Sequence, residues 1–187
     1  MCAVLSHGIQ VFKNCRRLKD WSGDSSFMNI EIYSRESIEN LLKKDFPDHV
    51  AVISFYDPEI RRIDKDYTPV NYSSKTNRVF KIQLHDIDID SLGDYNFTYE
   101  TYFPEADDLA KFIYAAKADG LNMICQCEYG QSRSAGCAAA ILEHFYKTGI
   151  SIFSDYRYYP NQMVFHKVFD ALEKIREGEV FCISPKI

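Results

Sequence analysis

Several things are scarce in this chain. Only 6 prolines and 8 glycines occur among 187 residues, too few for a collagen-like or low-complexity sequence. No apolar run approaches the ~20 residues that a membrane-spanning helix needs; the longest, around Ala138 to Leu142, stops far short. Positive charge is in deficit, since 22 Lys and Arg against 27 Asp and Glu leave a net charge of −5. A general nucleic-acid-binding surface is therefore not expected, and any affinity for an anion has to come from a local device. The 6 cysteines lack the dense, regular spacing of a secreted disulfide scaffold. Cys125 and Cys127 have no second pair or spaced histidines beside them, so no metal site is expected. The N-terminus has only Cys2 to Leu5 as an apolar stretch, with no basic residue ahead of it, unlike a signal peptide. A cytoplasmic protein with reduced cysteines and no membrane partner is the expectation.

What is present is the balance of a globular domain: 46% hydrophobic and 26% charged residues, in a length suited to one domain. Residues 1–27 mix Gly, Ser and Asn with Lys13, Arg16, Arg17 and Lys19 and show no period, so they read as an N-terminal extension. Residues 28–187 read as the domain proper. Strand-like runs (residues 29–33, 49–55, 79–84 and 122–127) alternate with helical patterns over residues 34–42, 104–118, 132–147 and from Asn161 onward. Ser34 and Asn161 suit the N-caps of their helices, Gly120 and Gly149 the stops, and residues 57–77 a polar loop. This alternation predicts an α/β fold, a mostly parallel central sheet with helices on both faces, whose ligands sit at the carboxyl ends of the strands.

One stretch carries chemistry. The apolar strand MICQC runs into the loop EYGQS and then into the small-residue helix RSAGCAAAILEHF. A short loop entering a helix can turn its amides inward, and the helix adds its own free N–H groups and the positive end of its dipole. The expected cradle for a tetrahedral anion consists of Glu128, Tyr129, Gly130, Gln131, Ser132 and Arg133. Gly130 supplies the backbone freedom of a tight turn, and Arg133 a planar fork for two phosphate oxygens. The same field favours Cys127 as a thiolate, placed to attack phosphorus in line. Ser134 can donate a hydrogen bond to the sulfur as it leaves.

CEYGQSRS resembles the C-x5-R-[ST] signature of the cysteine-dependent protein tyrosine phosphatases, above all the dual-specificity branch and its bacterial relatives. Pro160-Asn161 with Val164 and Phe165 is similar to the Pro-Asn-x-x-Phe element of that branch. Over residues 29–177 the resemblance implies a phosphomonoester hydrolase without cofactor, with Cys127 as nucleophile, Arg133 as phosphate clamp and Ser134 as helper. Its substrate would be a phosphorylated protein or a small phosphomonoester. The family's general acid is an Asp that follows an upstream strand. Asp86 is favoured, Asp88 comes next, and Asp90 and Asp94 lie in the same stretch. Two departures stand out: Gln126 occupies the place of the usual His, and Glu128 sets a negative charge beside the cradle, which speaks against highly anionic substrates. A non-catalytic phosphate-binding relative and a phosphatase for lipid or small-molecule phosphates remain the alternatives. The oligomeric state is open.

Blander readings apply elsewhere. Cys125 is expected to face away from Cys127 into the core, and Cys137 to be a packing residue rather than a resolving thiol. His85, His144 and His166 have no partner spacing and suit surface or packing roles. Tyr156, Tyr158 and Tyr159 either line the substrate entrance or pack beneath the last helix.

Overall fold

A computed structural model describes residues 27–182; all of the expected extension except Phe27 lies outside the described residues. Four strands, β1 (Ile30–Ser34), β2 (Val50–Tyr56), β3 (Val79–Gln83) and β4 (Asn122–Cys127), form one sheet in the order β1-β4-β2-β3. All three pairings are parallel, as the strand–helix alternation required. The register sets Ser34 beside Cys127 and Ser54 beside Gln126, so the carboxyl ends of β1, β4 and β2 meet at one edge.

Both sheet faces are covered because side chains alternate along each strand. Ile30, Ile32, Ala51, Ile53, Phe55, Met123, Cys125 and Cys127 point into the larger core. That core is closed by α3 (Ala106–Ala118), α4 (Arg133–Tyr146) and α6 (Gln162–Cys182), through Leu109, Ile113, Ala138, Ile141, Val168 and Leu172. Tyr33, Val50, Val52 and Ile124 point to the other face, against Ile38, Leu41 and Leu42 of α1 (Arg35–Lys43). Cys125 is therefore core, but on the same face as Cys127: residues two apart on a strand share a side, which corrects the expectation that they part.

Local signals account for the element ends. The Ser34 side chain accepts from the Ser37 amide and caps α1, and Asn161 Oδ1 accepts from the Val164 amide at 2.9 Å at the start of α6. After α3, Gly120 takes φ +69°. The Leu121 and Gly120 amides fold back onto the Ala116 and Lys117 carbonyls, the pairing that satisfies a helix C-terminus.

Two expectations need correction. The 57–77 segment is more than a polar loop: it holds a short helix, α2 (Ile60–Ile63), and buries Tyr67, Val70 and Tyr72. The face that α1 covers takes Val70 and Tyr72 from this loop to complete its core. Helix α4 ends not at Gly149 but in a left-handed turn at Lys147, φ 55°. Gly149 has ordinary helical angles and opens α5 (Ile150–Phe153); a Cβ there would lie 2.5 Å from the Ala139 carbonyl oxygen.

Candidate active site

The segment between β4 and α4 is held from outside by its carbonyl groups. The Arg35 amide donates to the Glu128 carbonyl at 3.0 Å, and the Tyr159 amide to the Gln131 carbonyl at 3.0 Å. The Ser132 carbonyl accepts from Gly136 at 2.8 Å and Asn161 at 3.2 Å. In a trans peptide the carbonyl and the next N–H point in opposite directions. Anchoring these three carbonyls outward therefore turns the amides of Tyr129, Ser132 and Arg133 to the other side. Among the described residues the amides of residues 129–132 meet no protein acceptor, and the first amides of α4 are free as in any helix. Gly130 is required twice over: its φ is +69°, and a Cβ would stand 2.5 Å from the Ser34 nitrogen. The loop is thus pressed against the β1–α1 junction.

Cys127 ends β4 at the floor of this loop, almost wholly buried, with its Sγ 3.0 Å from Ser134 Oγ. Arg133 opens α4 with its side chain 2% exposed. One terminal nitrogen donates to the Leu84 carbonyl at 2.5 Å and lies 3.7 Å from Asp57 Oδ2. Its Nε lies 3.6 Å from Asp86 Oδ2 and has no hydrogen-bond partner. A buried donor without an acceptor is costly and uncommon. With Asp57 and Asp86 both within 4 Å of the guanidinium, the Nε still has room for one hydrogen-bond acceptor.

The acidic stretch after β3 sorts itself by position. Asp86 touches the loop: its Oδ1 accepts from Ser132 Oγ at 2.6 Å and from Asn161 Nδ2 at 2.9 Å. Asn161 Nδ2 also donates to the Ile87 carbonyl, and the Tyr102 hydroxyl donates to the His85 carbonyl, so the segment is pinned on both sides of Asp86. Asp88 is exposed and turned toward a neighbouring groove, while Asp90 and Asp94 sit exposed in two 3-10 turns. Asp57 was not singled out in the sequence, where Asp57-Pro58 reads only as a strand stop. Its position is legible once β2 is known to lie beside β4, since residues that follow neighbouring parallel strands share an edge.

Gln126 and Glu128 are each accommodated. Gln126 Oε1 accepts from Ser54 Oγ at 2.6 Å and from the Tyr72 hydroxyl at 3.1 Å, so the residue before Cys127 is fixed from the opposite face of the sheet. Glu128 accepts from the Tyr67 hydroxyl at 3.2 Å, and the Arg35 guanidinium lies 4.4 Å from the Tyr67 ring centre. Tyr129 and Gln131 are exposed, as loop-tip residues.

Burial, with Cys125 beside it, pushes the Cys137 thiol well above its ordinary range, in keeping with a packing role. Tyr158 is buried, whereas Tyr156 and Tyr159 are exposed. Among the described residues no group of three or more His, Cys, Asp or Glu is placed to hold a metal ion, and no helix is long and apolar enough to cross a membrane.

Fold and site together define an α/β protein whose buried cysteine and arginine bracket an amide-rich strand–loop–helix turn. No protein-family model and no curated protein matches the chain. Among solved structures it is similar to PTPMT1 in complex with PI(5)P, at 13% identity over 80% of this chain and 94% of that one, TM-score 0.49. It is also similar to a leucine-rich-repeat and phosphatase-domain protein from Entamoeba histolytica, at 10% identity over 82% and 92%, TM-score 0.47. A third is the human tyrosine phosphatase-like serine/threonine/tyrosine-interacting protein, at 14% identity over 83% and 93%, TM-score 0.47. The second of these is named for a phosphatase domain and the third as tyrosine phosphatase-like. At such identities and TM-scores the chemistry is read from the loop itself.

Proposed function

We propose that the chain, over residues 28–187, is a metal-independent phosphomonoester hydrolase of the protein tyrosine or dual-specificity phosphatase type. The observation that carries this reading is the buried Nε of Arg133, ion-paired with Asp86 but without a hydrogen-bond partner, together with the free loop amides and the Cys127 sulfur at the base of the same turn. Phosphate oxygens binding there would complete the Arg133 hydrogen bonds and meet the Tyr129, Ser132 and Arg133 amides. The Cys127 thiolate then attacks phosphorus, an S–P bond forms, and the ester P–O bond breaks. Asp86 gives its proton to the leaving oxygen and afterwards takes one from the attacking water. Ser134 donates to the sulfur as the S–P bond breaks and the thiolate returns. A cytoplasmic setting belongs to the same proposal, supported by the free thiols of Cys125, Cys127 and Cys137.

The test is hydrolysis of an aryl phosphate with a chelator present. Cys127→Ser is expected to reduce turnover to background, and Arg133→Ala to cut kcat/KM on the order of 10³-fold. Undiminished activity in Cys127→Ser would overturn the reading. Phosphate binding without turnover in the intact protein would favour a non-catalytic phosphate-binding role.

A further inference from the structure

Two chain segments are tied to the 128–133 loop and to each other. The one after β3 is tied to the loop where Asp86 accepts from Ser132 at 2.6 Å. The one before α6 is tied through the Tyr159 amide on the Gln131 carbonyl and the Asn161 amide on the Ser132 carbonyl. Asn161 Nδ2, bonded to both Asp86 and the Ile87 carbonyl, joins the segments to each other. Beyond that joint lies a groove of about 570 Å³, lined by Asp88, Phe153, Asp155, Tyr156, Tyr159 and Gln162 among others. Its lining takes in Asp88, two residues past Asp86, and Tyr159 and Gln162 on either side of Pro160-Asn161, so it is built from the two segments that are tied to the loop.

The lining has a definite chemistry. It carries two carboxylates and no cation. Asp155 is engaged by Arg157, whose Nε lies 2.8 Å from its Oδ1, but among the described residues Asp88 has no ion-pair partner. Tyr156 and Tyr159 are 90% and 74% exposed. Large exposed aromatic rings beside a polar rim mark contact surfaces, since rings offer broad apolar area at small entropic cost.

Resting on the phosphatase reading of the loop, we infer that this groove receives the polypeptide flanking a phosphorylated residue and selects segments that carry a nearby lysine or arginine. An extended peptide advances ~3.3 Å per residue, so side chains near the phosphorylated residue are the ones that would reach the groove. A cationic head there meets Asp88, and its aliphatic stem lies along the Tyr156 and Tyr159 rings. An acidic flank meets Asp88 with like charge, whereas the charge of Asp155 is already offset by Arg157.

The experiment uses two phosphotyrosine peptides that differ only in flanking lysines or glutamates, with p-nitrophenyl phosphate as a substrate too small to reach the groove. The lysine peptide is expected to show roughly five- to tenfold higher kcat/KM, a ratio that shrinks as salt rises. Asp88→Lys is expected to bring the ratio to one or invert it. Tyr156→Ala is expected to lower kcat/KM several-fold on both peptides while leaving p-nitrophenyl phosphate hydrolysis unchanged. A wild-type ratio within twofold of one, or a ratio that Asp88→Lys does not move, overturns the inference. If p-nitrophenyl phosphate itself is not hydrolysed, the phosphatase reading fails instead. Anisotropy titrations of the two fluorescent peptides then decide the groove separately, equal affinities counting against it.

Discussion

Asp86 and Asp57 flank Arg133 from two different strand ends, and their hydrogen bonds separate their roles. Asp86 contacts the loop through Ser132 and is steadied by Asn161. Asp57 accepts the Glu59 amide with one oxygen and faces the guanidinium at 3.7 Å with the other. If Asp86 is the acid, Asp86→Asn lowers kcat about 10²- to 10³-fold on an alkyl or tyrosyl phosphate, and less on an ester with a good leaving group. Asp94→Asn stays within about twofold of wild type. Equal losses in the two variants would reassign the acid. Asp57→Asn is expected to raise KM for phosphate esters more than it lowers kcat, because it loosens the clamp rather than the proton transfer; the KM-against-kcat split is the measurement. The places of Cys127 and Arg133 follow from the strand–loop–helix pattern, while Asp86 was the favoured one of four aspartates and is the one that the structure sets beside Ser132 and Arg133. Asp57 was not legible in the sequence, because its significance comes from β2 lying next to β4, a pairing that no local pattern announces.

At the scale of elements, the loop is shaped by what packs against it. Gly130 rests on the β1–α1 junction, and Gly136 lies so near the next segment that a Cβ would come 2.4 Å from the Asn161 carbonyl oxygen. Gly130→Ala combines a strained φ with a backbone clash. It is expected to cost about 1–3 kcal/mol in urea unfolding and to weaken competitive inhibition by inorganic phosphate by tenfold or more. Unchanged phosphate inhibition in a folded Gly130→Ala variant would show that the loop shape matters less than its composition. The strands and long helices could be read from period and caps, and Ser34, Gly120 and Asn161 act where the pattern placed them. The buried part of the 57–77 segment was hidden because Tyr67, Val70 and Tyr72 are scattered among polar residues. Val70 and Tyr72 are called for only by the second face of the sheet, which they cover together with α1, and Tyr67 by Arg35 and Glu128.

Across the whole molecule, α3, α4 and α6 are joined by a buried polar chain that no sequence spacing suggested. His144, in the last turns of α4, has its Nδ1 2.7 Å from Glu173 Oε1 of α6 and its Nε2 2.8 Å from the Tyr114 hydroxyl of α3. The neutral imidazole fits both contacts, with Nδ1–H donating to the carboxylate and Nε2 accepting from the phenol. Burial holds the His144 pKa below the ordinary histidine value, against the opposing pull of Glu173, while Arg176 and Lys147 push it the same way as burial. A histidine whose folded pKa lies below its unfolded value binds more protons when unfolded. The stability it contributes is therefore complete above the unfolded value near 6.5 and is lost as pH falls from there through the folded pKa. Urea unfolding of the wild type is expected to weaken over that acidic window with a slope from this group of at most about 1.4 kcal/mol per pH unit. His144→Gln keeps a donor and an acceptor without a titrating ring. It should flatten that part of the profile while lowering stability at neutral pH, because an amide cannot match both contacts of the imidazole. The helix that carries His144 begins at Arg133, so loosening the far end also asks whether the loop depends on the clasp. With the 128–133 loop anchored by Arg35, Tyr159 and Asn161 rather than by the far turn of α4, kcat/KM at neutral pH is expected to stay within about twofold of wild type in His144→Gln. A large loss there would mean that the three-helix clasp, and not those local anchors, holds the loop in shape.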